Sequence, residues 1–326
     1  MGDGNVSRTR TWGIGLAILS SLCFGGSGPI GKALIGVGFS PLQAVWLRIA
    51  GSALVLVPLV VALRGTTRLR AARPFLSQLI GYGVAGVAGC QALYFVAASR
   101  LPVGIAILLE FTGPVLVLLW IRLVRRTPVH RTAVLGVAVA VAGLACVVQI
   151  WSGLRLDAVG LLAGLGAAAC QATYFLLVEG LTGAVDPLVM TAAGSVVGTI
   201  VLTALAAPWA IPWHALATTV DLGGHSAPAW VLAGWLTLVS TVIAYLAGVA
   251  AVQRLSAPVA GAICYAEAVF ATLIAWAVLG ESLTAVQLAG GAIVLAGAFI
   301  AQRAATEEHP AVAAAGVSVP MGAAAL

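Results

Sequence analysis

The sequence predicts an all-α integral membrane protein, with ten transmembrane helices arranged as two inverted five-helix repeats. Three observations lead there. The 326 residues are 61% hydrophobic and only 8% charged, whereas a soluble domain carries about a quarter charged residues. Polar and Pro/Gly punctuation cuts the chain into ten apolar runs, most near the roughly 20 residues that a membrane helix needs. The basic residues then alternate between loops, and the second half of the chain repeats features of the first.

The ten runs are 12–35, 41–63, 75–97, 103–123, 132–151, 158–180, 187–210, 228–252, 258–279 and 284–302. Ser40-Pro41 and Asp186-Pro187 read as an N-cap followed by a first-turn proline, which fixes the starts of helices 2 and 7. Residues 1–11 precede the first span. The Arg8-Thr9-Arg10 start imitates a signal peptide, but nine further apolar runs follow it. Residues 304–326 are rich in Ala, Val and Gly without periodicity, and read as a disordered tail.

Orientation follows from the arginines. With the N-terminus inside, twelve of the 16 Lys and Arg fall on cytoplasmic segments. They are Arg8, Arg10, Arg64, Arg68, Arg70, Arg73, Arg122, Arg125, Arg126, Arg131, Arg254 and Arg303. Such a bias sets topology, so both termini are expected in the cytoplasm. In a soluble protein a net charge of +6 would suggest nucleic acid. Here it is spent on loops, and no nucleic-acid partner is expected.

A shift of 154 places Arg100-Leu101 on Arg254-Leu255, Gly136 on Gly290 and Gly143 on Gly297. A weaker match at 147 places Cys23 on Cys170. The repeats are therefore 12–151 and 157–303, five helices each. Five is odd, so the second repeat enters the membrane from the opposite side. Inverted repeats are a construction for alternating access.

The stretch "FGGSGPIGKA" (24–33) imitates two known sites. Gly26 to Lys32 fits the phosphate-cradling G-x-x-x-x-G-K, but Ala33 replaces the required Ser or Thr and a membrane helix precedes it. Ser27 fits an intramembrane serine nucleophile, but His130, His214, His225 and His309 all lie in loops or the tail, so none is available to activate it. No enzyme is expected. What remains is a half-helix in which Pro29 leaves the Gly25 carbonyl without its usual partner. It either lines a substrate site, with Gly25 and Ser27, or packs closely through small residues.

Ionisable residues inside spans are costly and point to function. Glu110 lies roughly 10 Å into helix 4, and Pro114 frees the carbonyl of Glu110 itself. Glu267 lies about 14 Å into helix 9, within one turn of the position that corresponds to Glu110. Arg48, in helix 2, either pairs with an acid, receives a substrate carboxylate, or snorkels outward. Lys32 and Glu179, near the ends of helices 1 and 6, are expected to snorkel. Trp46, Tyr94, Tyr174 and Tyr265 either line a cavity or, as is commoner for any one of them, pack against lipid or neighbouring helices. Cys23, Cys90, Cys146, Cys170 and Cys264 form no C-x-x-C pair; they read as small buried apolar residues, and no metal or other cofactor is implied.

These residues resemble the drug/metabolite transporter superfamily, in its EamA branch, over nearly the whole chain. The resemblance rests on ten helices in two repeats and on "LGESLT" (279–284) opening helix 10. "LPVGIAILLEFTGPV" (101–115) is similar to helix 4 of the threonine/homoserine exporter group. The resemblance implies an inner-membrane exporter of amino acids or related metabolites that works without ATP, with proton coupling and oligomeric state left open. Helix 9 commonly reads Glu-Pro in this branch, whereas this chain has Glu267-Ala268. Helix 9 is therefore expected to be unbroken. A multidrug exporter of lipophilic cations would use the same acids, and a non-transporting sensor or an intramembrane enzyme is the alternative from another class.

Overall fold

A computed structural model of the chain describes residues 3–124, 126, 131–148, 156–181, 183–252, 263 and 265–307. Arg125, Arg155, Arg254, His130, Cys264 and the tail from residue 308 lie outside the described residues, and the side chain of Glu179 is likewise not described.

The first span is α1 (Asp3–Gly25) followed by α2 (Ser27–Gly36). Gly26 N still reaches Leu22 O and Ile30 N reaches Gly26 O, both at 3.2 Å. Backbone pairing therefore continues through the glycine-rich run. Its glycines admit neighbours: a Cβ on Gly25 would sit 3.1 Å from the Glu267 carbonyl oxygen, and the Tyr94 hydroxyl and Phe95 ring occupy the space beside Gly28 and Gly31.

Helix α3 (Pro41–Ala71) starts as the sequence predicts. Ser40 accepts from Gln43 N and Gln43 returns the bond to Ser40 N, with Pro41 in the first turn, a reciprocal cap that satisfies two end donors. Its far end differs from expectation. The arginine-bearing segment past Leu63 is helical, resumed after a kink at Gly65, whose φ of 68° and ψ of 171° suit a residue without Cβ.

The third span is α4 (Leu76–Gly81), a π-helical stretch Tyr82–Gly89, and α5 (Cys90–Arg100). The fourth is α6 (Val103–Glu110) and α7 (Gly113–Leu123), broken at Phe111 and Thr112. The break comes where Pro114 cannot donate to the turn before it. Helix α8 (Arg131–Val148) closes the first half.

In the second half come α9 (Ala158–Leu181) and α10 (Pro187–Ala206), the latter capped by Asp186, which accepts from Leu188 N at 2.9 Å. Next, a hairpin pairs β1 (Thr219–Leu222) with β2 (His225–Pro228), a small β element in a fold expected to be wholly helical. Gly223 and Gly224, with φ of 64° and 90°, supply the two positive φ values of a tight turn. The eighth span repeats the pattern of the third: α11 (Ala229–Thr237), a π-helical stretch Leu238–Ile243, and α12 (Ala244–Val252).

The last helices are α13 (Ala266–Leu279) and α14 (Ala285–Glu307). Here an expectation fails. The ninth span is not continuous through Glu267: α13 begins at Ala266, Tyr265 forms a turn, and Ala268 N reaches back to Tyr265 O at 3.3 Å. No proline is needed. Glu267 sits in the first turn of α13, where unpaired amides favour a carboxylate.

Helices from the two halves pair head to tail. In α3 and α10, Trp46 bonds Thr203, Ser52 approaches Ser195, and Arg64 pairs with Asp186. In α8 and α14, Cys146 meets Gly290, Gly143 meets Val294, and Ala140 meets Gly297. Each series rises along one helix and falls along the other, so both pairs are antiparallel. Glycines permit the second: a Cβ on Gly143 would lie 2.6 Å from Val294 N, and one on Gly290 2.9 Å from Gly143 O. Such small-residue seams bring membrane helices close.

Six helices among the described residues are long and apolar enough to cross a membrane, and four shorter apolar helices accompany them. Leu54, Leu162 and Ile200 are 77%, 71% and 67% exposed, which suits contact with lipid rather than water.

Candidate functional site

A cavity of about 640 Å³ lies among helices of both halves. Its deep end is lined by Ser20, Ser21 and Phe24 of α1, Cys90 and Gln91 of α5, Glu110 of α6, Gln171 of α9, Tyr245 of α12 and Glu267 of α13. It extends to Arg68 and to residues 183–187 at one end of the bundle.

Glu110 is held at the end of α6 by two weak donors. Cys90 Sγ and Gln171 Nε2 each lie 3.3 Å from Oε1. Cys90 thus departs from the expectation of an inert apolar residue, because its thiol donates to a carboxylate. Among the described residues no cation pairs with Glu110 or Glu267. Two carboxylates without a paired cation, in a largely apolar cavity, call for a positively charged guest or a proton.

Among the described residues Arg48 neither snorkels nor pairs with an acid. It is 1% exposed, so it does not snorkel, and its bonds go to neutral groups. Nε donates to Thr241 Oγ1 at 2.7 Å, Nη1 to Gln91 Oε1 at 2.6 Å, and Nη2 to the Ser240 carbonyl at 2.9 Å. The π-helical stretch of the eighth span makes this possible. Thr241 Oγ1 itself donates to Leu236 O, five residues back, and the widened turn leaves the Ser240 carbonyl available to the guanidinium.

Of the other expected site residues, Gly25, Ser27 and Tyr94 are buried in packing outside the cavity lining. Pro114 takes its place in the first turn of α7. Tyr174 lines the cavity, and Tyr265 stacks on Phe111. His214 and His225 are exposed and do not line it. Sequence reading passed over Gln91 and Gln171. Two amides in the middle of apolar runs were the available signal, since polar groups at membrane depth need partners.

Lys32 also finds a partner rather than snorkelling. Its Nζ lies 2.6 Å from Glu281 Oε1 and donates to Leu101 O at 2.8 Å, while Glu281 Oε2 accepts from Val103 N at 2.7 Å. This knot ties α2, the start of α6 and the α13–α14 turn together, and none of its residues lines the cavity.

The EamA-like transporter family matches the sequence twice, over residues 11–149 and 158–303. The chain belongs to this family. It is a multi-pass membrane transporter, and the paired matches cover the two halves of the chain. Relatives of this EamA chain include the threonine/homoserine exporter RhtA of Escherichia coli (strain K12). That protein is 28% identical over 298 residues, covering 90% of this chain and 92% of the relative. The exporter of the same name from Salmonella typhimurium (strain LT2) is 29% identical over 276 residues, 84% of each. A solved crystal structure shares the fold of this EamA protein with a TM-score of 0.56 at 21% identity, covering 92% of this chain and 99% of that one.

Proposed function

We propose that this EamA protein is a secondary exporter of amino acids or closely related small zwitterions, working by alternating access between two inverted five-helix repeats. The observation that carries the reading is the cavity that brings Glu110 and Glu267 together from two broken helices, one in each half. Its volume lies within the roughly 300–1,000 Å³ of small-molecule sites. The acids suit an ammonium, and the relatives named for threonine and homoserine export support the substrate class.

The antiparallel pairing of α3 with α10 and of α8 with α14 supports the inverted arrangement, and with it the count of ten spans. With the N-terminus inside, the cavity end carrying Arg68 and Asp186 faces the cytoplasm, and the Lys32–Glu281 knot lies on the outer side. The conformation is then inward-facing: open for loading, shut toward the exterior. Glu110 is the substrate-ammonium site, supported by Glu267.

Purified protein in proteoliposomes, loaded with a panel of radiolabelled amino acids and one lipophilic cation, tests this. Efflux of a neutral amino acid is expected. Efflux of the lipophilic cation alone would establish the multidrug reading instead.

A further inference from the structure

We infer that Gln91, locked in one orientation by Arg48, is the group that recognises the substrate carboxylate. This rests on the amino-acid reading above and assigns the other end of the zwitterion. Arg48 donates through Nη1 to the Gln91 side chain at 2.6 Å. A guanidinium carries only donors, so the amide atom facing it must be the oxygen. The amide orientation is therefore fixed by chemistry, not by choice. Gln91 lines the cavity, and with its oxygen committed to Arg48 it keeps both amide N–H groups for a guest.

Four neighbouring side chains already use a donor elsewhere. Ser20 Oγ donates to Ala244 O and Ser21 Oγ to Ile263 O, while Cys90 and Gln171 each donate to Glu110. The hydroxyl of Tyr245 is a further donor among the lining residues. Arg48 itself is 1% exposed, has three of its five N–H groups engaged and does not line the cavity, so a carboxylate in the cavity meets Gln91 rather than the guanidinium. Its charge still acts, because a hydrogen bond to a cation polarises the amide and strengthens the N–H groups on the far side. The deep cavity thus has an electropositive amide at Gln91 and two acids, Glu110 and Glu267. A carboxylate and an ammonium on one small molecule match that polarity. Arg48 is a positioning residue in this scheme, and Gln91 makes the contact.

Gln91→Glu separates the roles, because it keeps an acceptor for Arg48 and replaces the N–H donors by oxygen. Gln91→Met removes the donors without adding charge. Binding of L-homoserine and of 3-aminopropan-1-ol, the same molecule without its carboxylate, would be measured on the purified full-length protein in detergent. For both variants the half-saturation concentration for homoserine should rise about tenfold or more, while that for the amine stays within twofold of wild type or falls. Either variant binding homoserine as wild type does would overturn the assignment and leave the export reading standing. An equal loss for both ligands would also overturn it, since that marks a structural role. Wild-type protein that binds no amino acid would overturn both readings.

Discussion

Phe111 and Tyr265 meet ring to ring, with centroids 5.4 Å apart, at the two places where the fourth and ninth spans break. Their numbers differ by 154, the same shift that aligns Gly136 with Gly290 and Gly143 with Gly297. Corresponding breaks therefore touch each other. Inverted halves would place such a contact on the axis relating them, and Glu110 and Glu267 stand one and two residues from it.

If the halves are inverted, equivalent loops face opposite sides of the membrane. Single cysteines at positions 100 and 254 should then react with an impermeant thiol reagent from opposite sides. Labelling of both from the same side would contradict the arrangement.

The α8–α14 seam should be intolerant of bulk. A Cβ on Gly143 would press on the Val294 backbone at 2.6 Å, and neither backbone can yield cheaply. Gly143→Ala should cost about 1–3 kcal/mol, the range for overpacking, seen as a lower thermal midpoint in detergent. Gly36→Ala, where nothing lies within 4 Å, serves as the control. Equal midpoints for the two would show that the seam is not close-packed.

Breaking the Lys32–Glu281 pair should favour the outward-open state. The pair is only partly exposed, at 26% and 19%, and is worth about 1 kcal/mol, which shifts a two-state equilibrium severalfold. In Lys32→Met protein, a cysteine at the cavity position 190 should label more slowly from the cytoplasmic side and faster from outside. Unchanged labelling from both sides would remove the knot from the gating cycle.

Much of the fold was legible because membranes restrict the options. Apolar run lengths and the Ser40 and Asp186 caps act locally. Glu110 was legible for the same reason: a carboxylate at that depth is costly wherever its partners are. What escaped depends on long-range pairing. Lys32 looks like a snorkelling residue until Glu281 folds against it. Arg48 looks free to snorkel until the turn at Ser240 and Thr241 takes up its Nε and Nη2 donors. The π-helical stretches leave no periodic signal, since a single extra residue per turn changes no side-chain type. The start of α13 just before Glu267 has no proline to announce it; Tyr265 makes the turn there. The hairpin was announced by Gly223-Gly224, a turn dipeptide in a loop that drew no attention among the spans.

The most direct test of the account is Glu110→Gln in proteoliposomes, measured as counterflow of radiolabelled L-threonine or L-homoserine. The substitution keeps size and shape and removes the charge. The account predicts that the variant purifies as a folded protein, with wild-type helicity and elution, and that its counterflow falls by about a hundredfold, as expected when a buried charge-assisted contact worth up to about 3 kcal/mol is lost. Counterflow at the wild-type rate would show that Glu110 does not hold the substrate, and would contradict the central claim.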